Sequence, residues 1–240
     1  MAHEGERYSP YSAVFVTPRG IPVTIWLRAQ TSDWNTAYSA LNEDEYHLRD
    51  RYVSGLALDI GGHIGTITVA LAIDNPDLRV IVVEPIPENL ALIRLNCEAN
   101  GIAERVEIVS GLAGRGGQGL IRYAFGGDET ALHHAFIGNS SFAVPDGRHQ
   151  AMRTHSWTLD ELIRDREVIL AKIDCEGGEY QFLAACDPTR VPEWIGERHP
   201  NPMEGGPAKT RRDLLDLMPG FDVTFTGPEA GPEGFVAVRR

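Results

Sequence analysis

From residue 56 onward, short β-rich apolar runs alternate with longer segments in which apolar residues recur every three or four positions. "LALDI" (56–60), "RVIVVEP" (79–85) and "RVEIVS" (105–110) have the length and β-branched content of buried strands. Between them, "IGTITVALAIDN" (64–75) reads as a helix despite its β-branched residues, because it is too long for a strand and runs into Asn-Pro. "PENLALIRLNCEANG" (87–101) is a clearer helix: Pro87 opens it, Leu90, Ile93 and Cys97 repeat at helical spacing, and Gly101 stops it. Strand, helix, strand, helix, strand in close succession predicts a doubly wound α/β sheet.

The flanks read differently. "AVFVTPRGIPVTIWLR" (13–28) is two β-rich runs around Pro-Arg-Gly, which predicts a hairpin. Residues 31–50 predict one or two short helices. Residues 111–150 break the rhythm with "GRGGQG" and "GGDET", and they carry His133 and His134; apart from a strand at "LIRYAF" (120–125), the segment reads as a long surface loop or lid. Regularity returns with a helix capped by Thr158, a buried strand "VILAKIDCEG" (168–177), a helix at 178–186, a strand "PEWIGERHP" (192–200) and a helix "KTRRDLLDLM" (209–218). "FDVTFTG" (221–227) and "GFVAVRR" (234–240) then form a closing antiparallel pair. The expected organisation is an extension over residues 1–50, and a domain over 51–240 with 111–150 as lid or insert.

At 240 residues the chain can bury a full core, and its net charge of −12 disfavours a phosphate backbone as partner. Three cysteines, Cys97, Cys175 and Cys186, with no C-x-x-C pair, suggest reduced thiols and no zinc knuckle. The first ten residues lack a basic and an apolar signal region, and no apolar run approaches spanning length, so a cytoplasmic protein that inserts in no membrane is expected.

The chemistry centres on "LDIGGHIGT" (58–66), a glycine turn between the first strand and its helix. In an open α/β sheet ligands bind beyond the carboxyl ends of the strands, so Gly61, Gly62 and Gly65, with His63 and Ile64 between them, lie where a ligand meets backbone. A Walker phosphate loop is excluded because the turn has no Lys. The spacing is not G-x-G-x-x-G, and Asp59 would face a pyrophosphate with like charge, so a nicotinamide reductase is disfavoured. S-adenosylmethionine has no phosphate and carries a sulfonium and an amine, which an acid at the strand mouth suits. Glu84, at the end of the second strand, can accept hydrogen bonds from both ribose hydroxyls. The bland alternatives are a turn carboxylate for Asp59 and a solvated strand end for Glu84.

A second cluster lies in "KIDCEGGE" (172–179). Asp174, Glu176 and Glu179 are close enough that at least one pKa should rise, which suits a general base near neutrality. Lys172 shares a strand face with Asp174 and can temper the repulsion. The same three acids could instead hold Mg²⁺ or a similar hard cation, or Glu179 could merely favour a helix N-terminus. His199 is a further base candidate, with Glu197 nearby, as are His133 and His134. Trp157 and Trp194 could wall a substrate, though core packing is the simpler reading.

Taken together, "ALDIGGHIG", "VVEPIPENLALIRLNCEANG", "SWTLDELI" and "AKIDCEGGEYQFL" make residues of about 30–200 resemble the FkbM-type S-adenosylmethionine-dependent methyltransferases. Lys172, Ile173, Asp174, Glu176, Gly177 and Glu179 match the family's Lys-Ile-Asp-x-Glu-Gly-x-Glu block, whereas His63 stands where the family more often has Asn. The resemblance implies a Rossmann-like class I fold with a seven-stranded, mostly parallel sheet and an antiparallel last pair. It also implies O-methylation of a hydroxyl on a small natural product or sugar, as in antibiotic and other secondary metabolism. The expected cofactor residues are Asp59, Gly61, Gly62, His63, Ile64, Gly65, Glu84, Pro85, Asn89, Gly111, Leu112 and Asp174. The expected catalytic residues are Asp174, Glu176, His199 and Lys172. N- or carboxyl methylation, and a non-catalytic S-adenosylmethionine-binding protein, are the alternatives. The expected partner is a small hydroxylated substrate and not a nucleic acid, with the protein a monomer or homodimer.

Overall fold

The computed structural model describes residues 9–29, 31–123, 136–137, 150–200 and 207–240. Seven strands form the central sheet: β3 (Gly55–Ile60), β4 (Leu78–Glu84), β5 (Val106–Ser110), β10 (Leu170–Ile173), β11 (Glu193–Arg198), β12 (Phe221–Thr226) and β13 (Glu233–Arg239). Their order across the sheet is β12-β13-β11-β10-β3-β4-β5. The chain moves outward from β3 to β4 to β5, then returns to place β10 on the other side of β3, parallel to it. The topological switch therefore falls between β3 and β10, and ligands in such sheets bind at that point beyond the carboxyl ends. β13 runs antiparallel to both β11 and β12, the closing pair the sequence predicts.

The period-two rule sorts the sheet's side chains into two layers. Ala57, Val80, Val82 and Leu170 face a core shared with α2 (Thr66–Asp74) and α3 (Pro87–Ala99). Leu58, Ile81, Val83 and Ala171 face a second core with α4 (Leu159–Ile163), α5 (Glu179–Leu183) and α6 (Arg211–Leu217). Burial on both faces explains why these strands read as apolar runs and not as alternation. Thr158 caps α4 in a reciprocal box with Glu161, as its sequence indicates, and Thr210 and Asp213 do the same for α6. Trp194 lies in the second core, its indole N–H donating to the Pro188 carbonyl, so it walls no substrate.

The predicted hairpin is β1 (Pro10–Val16) paired with β2 (Pro22–Arg28), followed by α1 (Asp33–Leu41). Phe15, Ile25, Leu27 and Leu41 are buried in the same core as Ile64, Val82 and Ile93. The edge of β2 away from β1 meets α3. Asn96 and Asn100, one helical turn apart, each accept from and donate to that backbone, at Trp26 and Thr24 respectively. Two amides thus stand in for a neighbouring strand.

The predicted strand at 120–125 is found over its described residues, and one prediction around it needs correction: residues 112–113 and 118–119 are strand and not loop. β6 (Leu112–Ala113) and β7 (Gln118–Tyr123) join β9 (Gln150–Trp157), a strand the sequence reading missed, and β8 (Phe136–Ile137) in a small four-stranded sheet. Its glycine content hid it: a Cβ at Gly114 or Gly119 would push aside the end of the Ser156 or Leu112 side chain. The remainder of the expected lid, with His133 and His134, lies outside the described residues. Among the described residues no helix is long and apolar enough to cross a membrane.

Candidate active site

A cleft of about 150 Å³, open to solvent, lies at the switch point. Ile60 and Gly61 from β3, Glu84 and Pro85 from β4, and Asp174, Cys175 and Glu176 after β10 line it. His63, Ile86, Asn89, Gly111 and Leu112 complete the floor, and Ser32 and Thr36 of the N-terminal segment form a side. Of the expected cofactor residues, Gly61, His63, Glu84, Pro85, Asn89, Gly111, Leu112 and Asp174 are on the cleft. Asp59, Gly62, Ile64 and Gly65 are not.

The glycines serve the turn's own packing more than a ligand. Gly61 has φ +77°, and a Cβ there would collide with the Asp174 carbonyl oxygen. A Cβ on Gly62 would strike Val82, and Gly65, at φ +87°, faces Ile93 of α3 at 3.3 Å. The turn is glycine-rich because strand β10 and helix α3 press on it from both sides. Ile64 is core. Gly111 likewise yields to the His155 carbonyl and the Trp157 indole. Trp157 is tied to the Ser110 carbonyl.

Glu84 is held by protein donors. Its Oε1 accepts from the Ile86 N–H (2.9 Å) and the Asn89 amide (3.1 Å), and its Oε2 from the His63 N–H (3.0 Å). A carboxylate has about four acceptor sites, so one in-plane site on Oε2 is left for a hydroxyl, not the two expected for a ribose diol. Burial raises the Glu84 pKa, and the three donors only partly offset it. His63 has φ +49° and its ring Nε2 lies 3.4 Å from Asp33. Arg28 grips Asp33 bidentately at 2.9 Å. Burial works against the Asp33 charge, but the hydrogen bonds from His63 and Arg28 prevail and hold it far below the usual carboxylate range.

Asp59 is buried away from the cleft, so the reading of it as the acid at the strand mouth is corrected. It accepts from Thr68 at 2.6 Å and pairs with Lys172 at 3.4 Å. Lys172 Nζ also lies 3.8 Å from Asp174 and donates to the Gly61 carbonyl at 2.8 Å. Burial alone would lower the Lys172 pKa, yet the charges of Asp59 and then Asp174 raise it instead. Lys172 is thus a permanent cation between two carboxylates, and it does not reach the cleft.

Asp174 does reach it. Tyr46, from the segment after α1, donates to Asp174 Oδ2 at 2.8 Å, while Oδ1 is buried without a hydrogen-bond partner among the described residues. Burial pushes the Asp174 pKa up, but Lys172, His199 and Tyr46 bring it below normal. Burial first, and then Asp174, keep the Tyr46 phenol protonated well above its ordinary pKa. Glu197 and Glu45 rise, each through burial and the Asp174 charge. Asp174, which is lowered, is thus not the raised carboxyl that the sequence suggests.

His199 is corrected as well. Its Nδ1 is 3.2 Å from Glu179, and its Nε2 is 3.3 Å from Glu176 and 3.7 Å from Glu197. Burial disfavours the imidazolium, but the Glu179 hydrogen bond and the surrounding carboxylates raise its pKa to about 10. It is a cation at neutral pH, not a free base. Glu179 is fully buried and accepts from the Cys175 and Gly177 N–H groups, fixing the turn that presents Asp174 and Glu176. Glu179 therefore does not join Asp174 and Glu176 as an ion-binding trio. The groups that converge are Asp174, Glu197 and His199, with donor atoms all within 4.8 Å. Cys175 lines the cleft, but burial raises its thiol pKa and leaves it un-ionised.

A doubly wound α/β sheet with an acidic cleft at its switch point, and one His as the sole basic side chain lining it among the described residues, is the framework of a Rossmann-like methyltransferase. The family model for the methyltransferase FkbM domain matches residues 59–222. The chain belongs to that family. No curated protein matches the chain. A solved structure of a proposed O-methyltransferase from Nostoc punctiforme is similar in fold, with TM-score 0.53 and 14% identity, over 87% of this chain and 58% of that one. The chain thus spans less than two thirds of that protein's length. A precorrin-6y C5,15-methyltransferase from Geobacter metallireducens aligns with TM-score 0.48 and 14% identity, over 84% of this chain and 88% of that one.

Proposed function

We propose that the protein transfers a methyl group from S-adenosylmethionine to a hydroxyl of a small molecule, with Asp174 taking the hydroxyl proton. The observation that carries this reading is one cleft lined by an oriented Glu84 and by a half-buried, tyrosine-held Asp174. The cleft fits the cofactor. Glu84, Asp174 and Glu176 give it negative character, which suits a sulfonium and an amine and repels a pyrophosphate. Glu84 and Asn89 would hold the ribose, and Gly61, His63 and Gly111 would lie along the nucleoside. When bound, S-adenosylmethionine supplies an electrophilic methyl carbon.

The protein's part is placement and charge. Holding two reactants in line can supply about 7–11 kcal/mol of the barrier. Asp174 stays ionised at neutral pH, because Lys172 and His199 flank it, and accepts the proton as the acceptor oxygen becomes acidic on bonding carbon. A carboxylate of modest basicity suffices for so acidic a proton. Glu176, at the cleft rim, contacts the acceptor. An amine acceptor would need no such carboxylate. The bias toward oxygen therefore rests on Asp174.

Calorimetric titration with S-adenosylmethionine and S-adenosylhomocysteine, followed by methyl-uptake assays on hydroxylated metabolites, tests the reading. Micromolar binding that is lost in Glu84→Ala, and turnover that is lost in Asp174→Asn with binding retained, support it. Binding with turnover only on amines overturns it.

A further inference from the structure

The junction of β10 and β11 carries more charge than methyl transfer uses. Glu45, Asp174, Glu176, Glu179 and Glu197 surround Lys172 and His199 there, so five carboxyls face two cationic groups. Within this set three donors of mixed type converge: an imidazole nitrogen of His199 and carboxylate oxygens of Asp174 and Glu197. We propose that Asp174, Glu197 and His199 bind a divalent transition-metal ion such as Mn²⁺ or Zn²⁺ behind Asp174 at the edge of the cleft.

Three features carry this beyond a crowd of acids. The first is spacing. Donors sharing an ion at about 2.1 Å lie roughly 3–4 Å apart; His199 Nε2 and Glu197 Oε2 are 3.7 Å apart, and the whole set falls within 4.8 Å. Small rotations of these partly exposed side chains complete the site. The second is the support behind the histidine. Nδ1 faces the fully buried Glu179, whose carboxylate is itself fixed by two backbone N–H groups. That partner keeps the Nδ1 proton, the arrangement that orients metal-ligating histidines, while Nε2, 3.3 Å from Glu176 and 3.7 Å from Glu197, would release its proton as the ion binds. The third is Asp174 Oδ1, a buried oxygen with no hydrogen-bond partner among the described residues, while Tyr46 holds the other oxygen. An orphaned buried acceptor is costly unless something occupies it.

The donor chemistry selects the ion. Carboxylates alone would suit Mg²⁺ or Ca²⁺, but an imidazole ligand favours the transition series. Three protein donors leave coordination positions open, and Asp174 places them on the cleft. An acceptor hydroxyl could there be acidified directly. That role rests on the methyltransferase reading, whereas binding of the ion does not.

The test is titration of chelator-treated protein with Mn²⁺, followed by loss of the free-ion electron paramagnetic resonance signal, and with Zn²⁺ by calorimetry. One equivalent should bind the wild type. Affinity should fall at least 100-fold in His199→Ala and in Glu197→Gln, and about 10–100-fold in Glu179→Gln. Asp222→Asn, on the far edge of the sheet, should match the wild type. Electron spin echo of the wild-type Mn²⁺ complex should show coupling to an imidazole nitrogen, a readout that needs no variant to fold. The proposal is overturned if neither ion binds below about 1 mM, if Glu197→Gln binds as well as wild type, or if nitrogen coupling is absent. S-adenosylmethionine titration of the metal-free protein separates the two readings. Cofactor binding without metal binding sinks only the ion site, and metal binding without cofactor binding sinks only the methyltransferase mechanism.

Discussion

Gly61 shows how little freedom single positions have at this site. Its backbone is left-handed and its missing Cβ makes room for the Asp174 carbonyl. Gly61→Ala combines overpacking with an unfavourable φ, about 1–3 kcal/mol for the first and 1–2 for the second. Urea denaturation should show a loss of about 2–5 kcal/mol. Lys172→Met should be similarly severe, about 3–5 kcal/mol, because it strands Asp59 as a buried uncompensated charge. Tyr46→Phe is milder. It removes one hydrogen bond to Asp174, so methyl transfer should slow while the S-adenosylmethionine Kd is unchanged. Asp33 sets an acid dependence. Its folded pKa lies far below its unfolded value near 3.8, so its contribution is present above pH 3.8 and lost as pH falls below that. Asp33→Asn should cost about 3–5 kcal/mol at pH 7, since Arg28 loses its buried partner. The gap to wild type should narrow at pH 3, as paired urea melts at the two pH values would show.

At the scale of elements, the sequence patterns carried the strands and helices of the sheet because each is a local periodicity with local stops. Glu84 at the end of β4 and Asp174 at the end of β10 were legible for the same reason: in a parallel sheet, strand ends mark the ligand edge. β9 was not legible. "QAMRTHSW" alternates polar and apolar residues weakly, and its partner β7 lies about 30 residues upstream. Tyr46 escaped too, and Glu197 was legible only as a neighbour of His199, since neither sits in a motif and each matters only because folding brings it to Asp174. The hairpin's attachment belongs to this scale. Asn96→Leu leaves the Trp26 N–H and carbonyl without their partner, at about 1–3 kcal/mol per unsatisfied group. Amide hydrogen exchange should show β2 opening before the central sheet in that variant.

For the whole molecule, the N-terminal segment and the family domain make one body. The family match begins at residue 59, yet Ser32, Thr36 and Tyr46 lie on or behind the cleft, and Ile25, Leu27 and Leu41 fill the same core as α2 and α3. A chain starting at residue 51 would expose that apolar face and leave Asp174 without its phenol. It should aggregate on expression, and gel filtration of the soluble fraction against wild type checks this.

The sequence by itself determined the order of the elements of the central sheet, its parallel strands with their antiparallel end, the cleft-edge acids Glu84 and Asp174, and the family. Those follow from short-range spacing: apolar period, caps, turns and blocks of adjacent residues. Tertiary structure alone decided what each charged group does. Asp59 became a buried partner of Lys172 and not a cofactor ligand; His199 became a cation and not a base; Glu179 became the support of a turn. The physical reason is that protonation and pairing depend on burial and on charges within a few ångströms. Those neighbours come from β3, β10, β11 and the segment after α1, which only the folded sheet brings together.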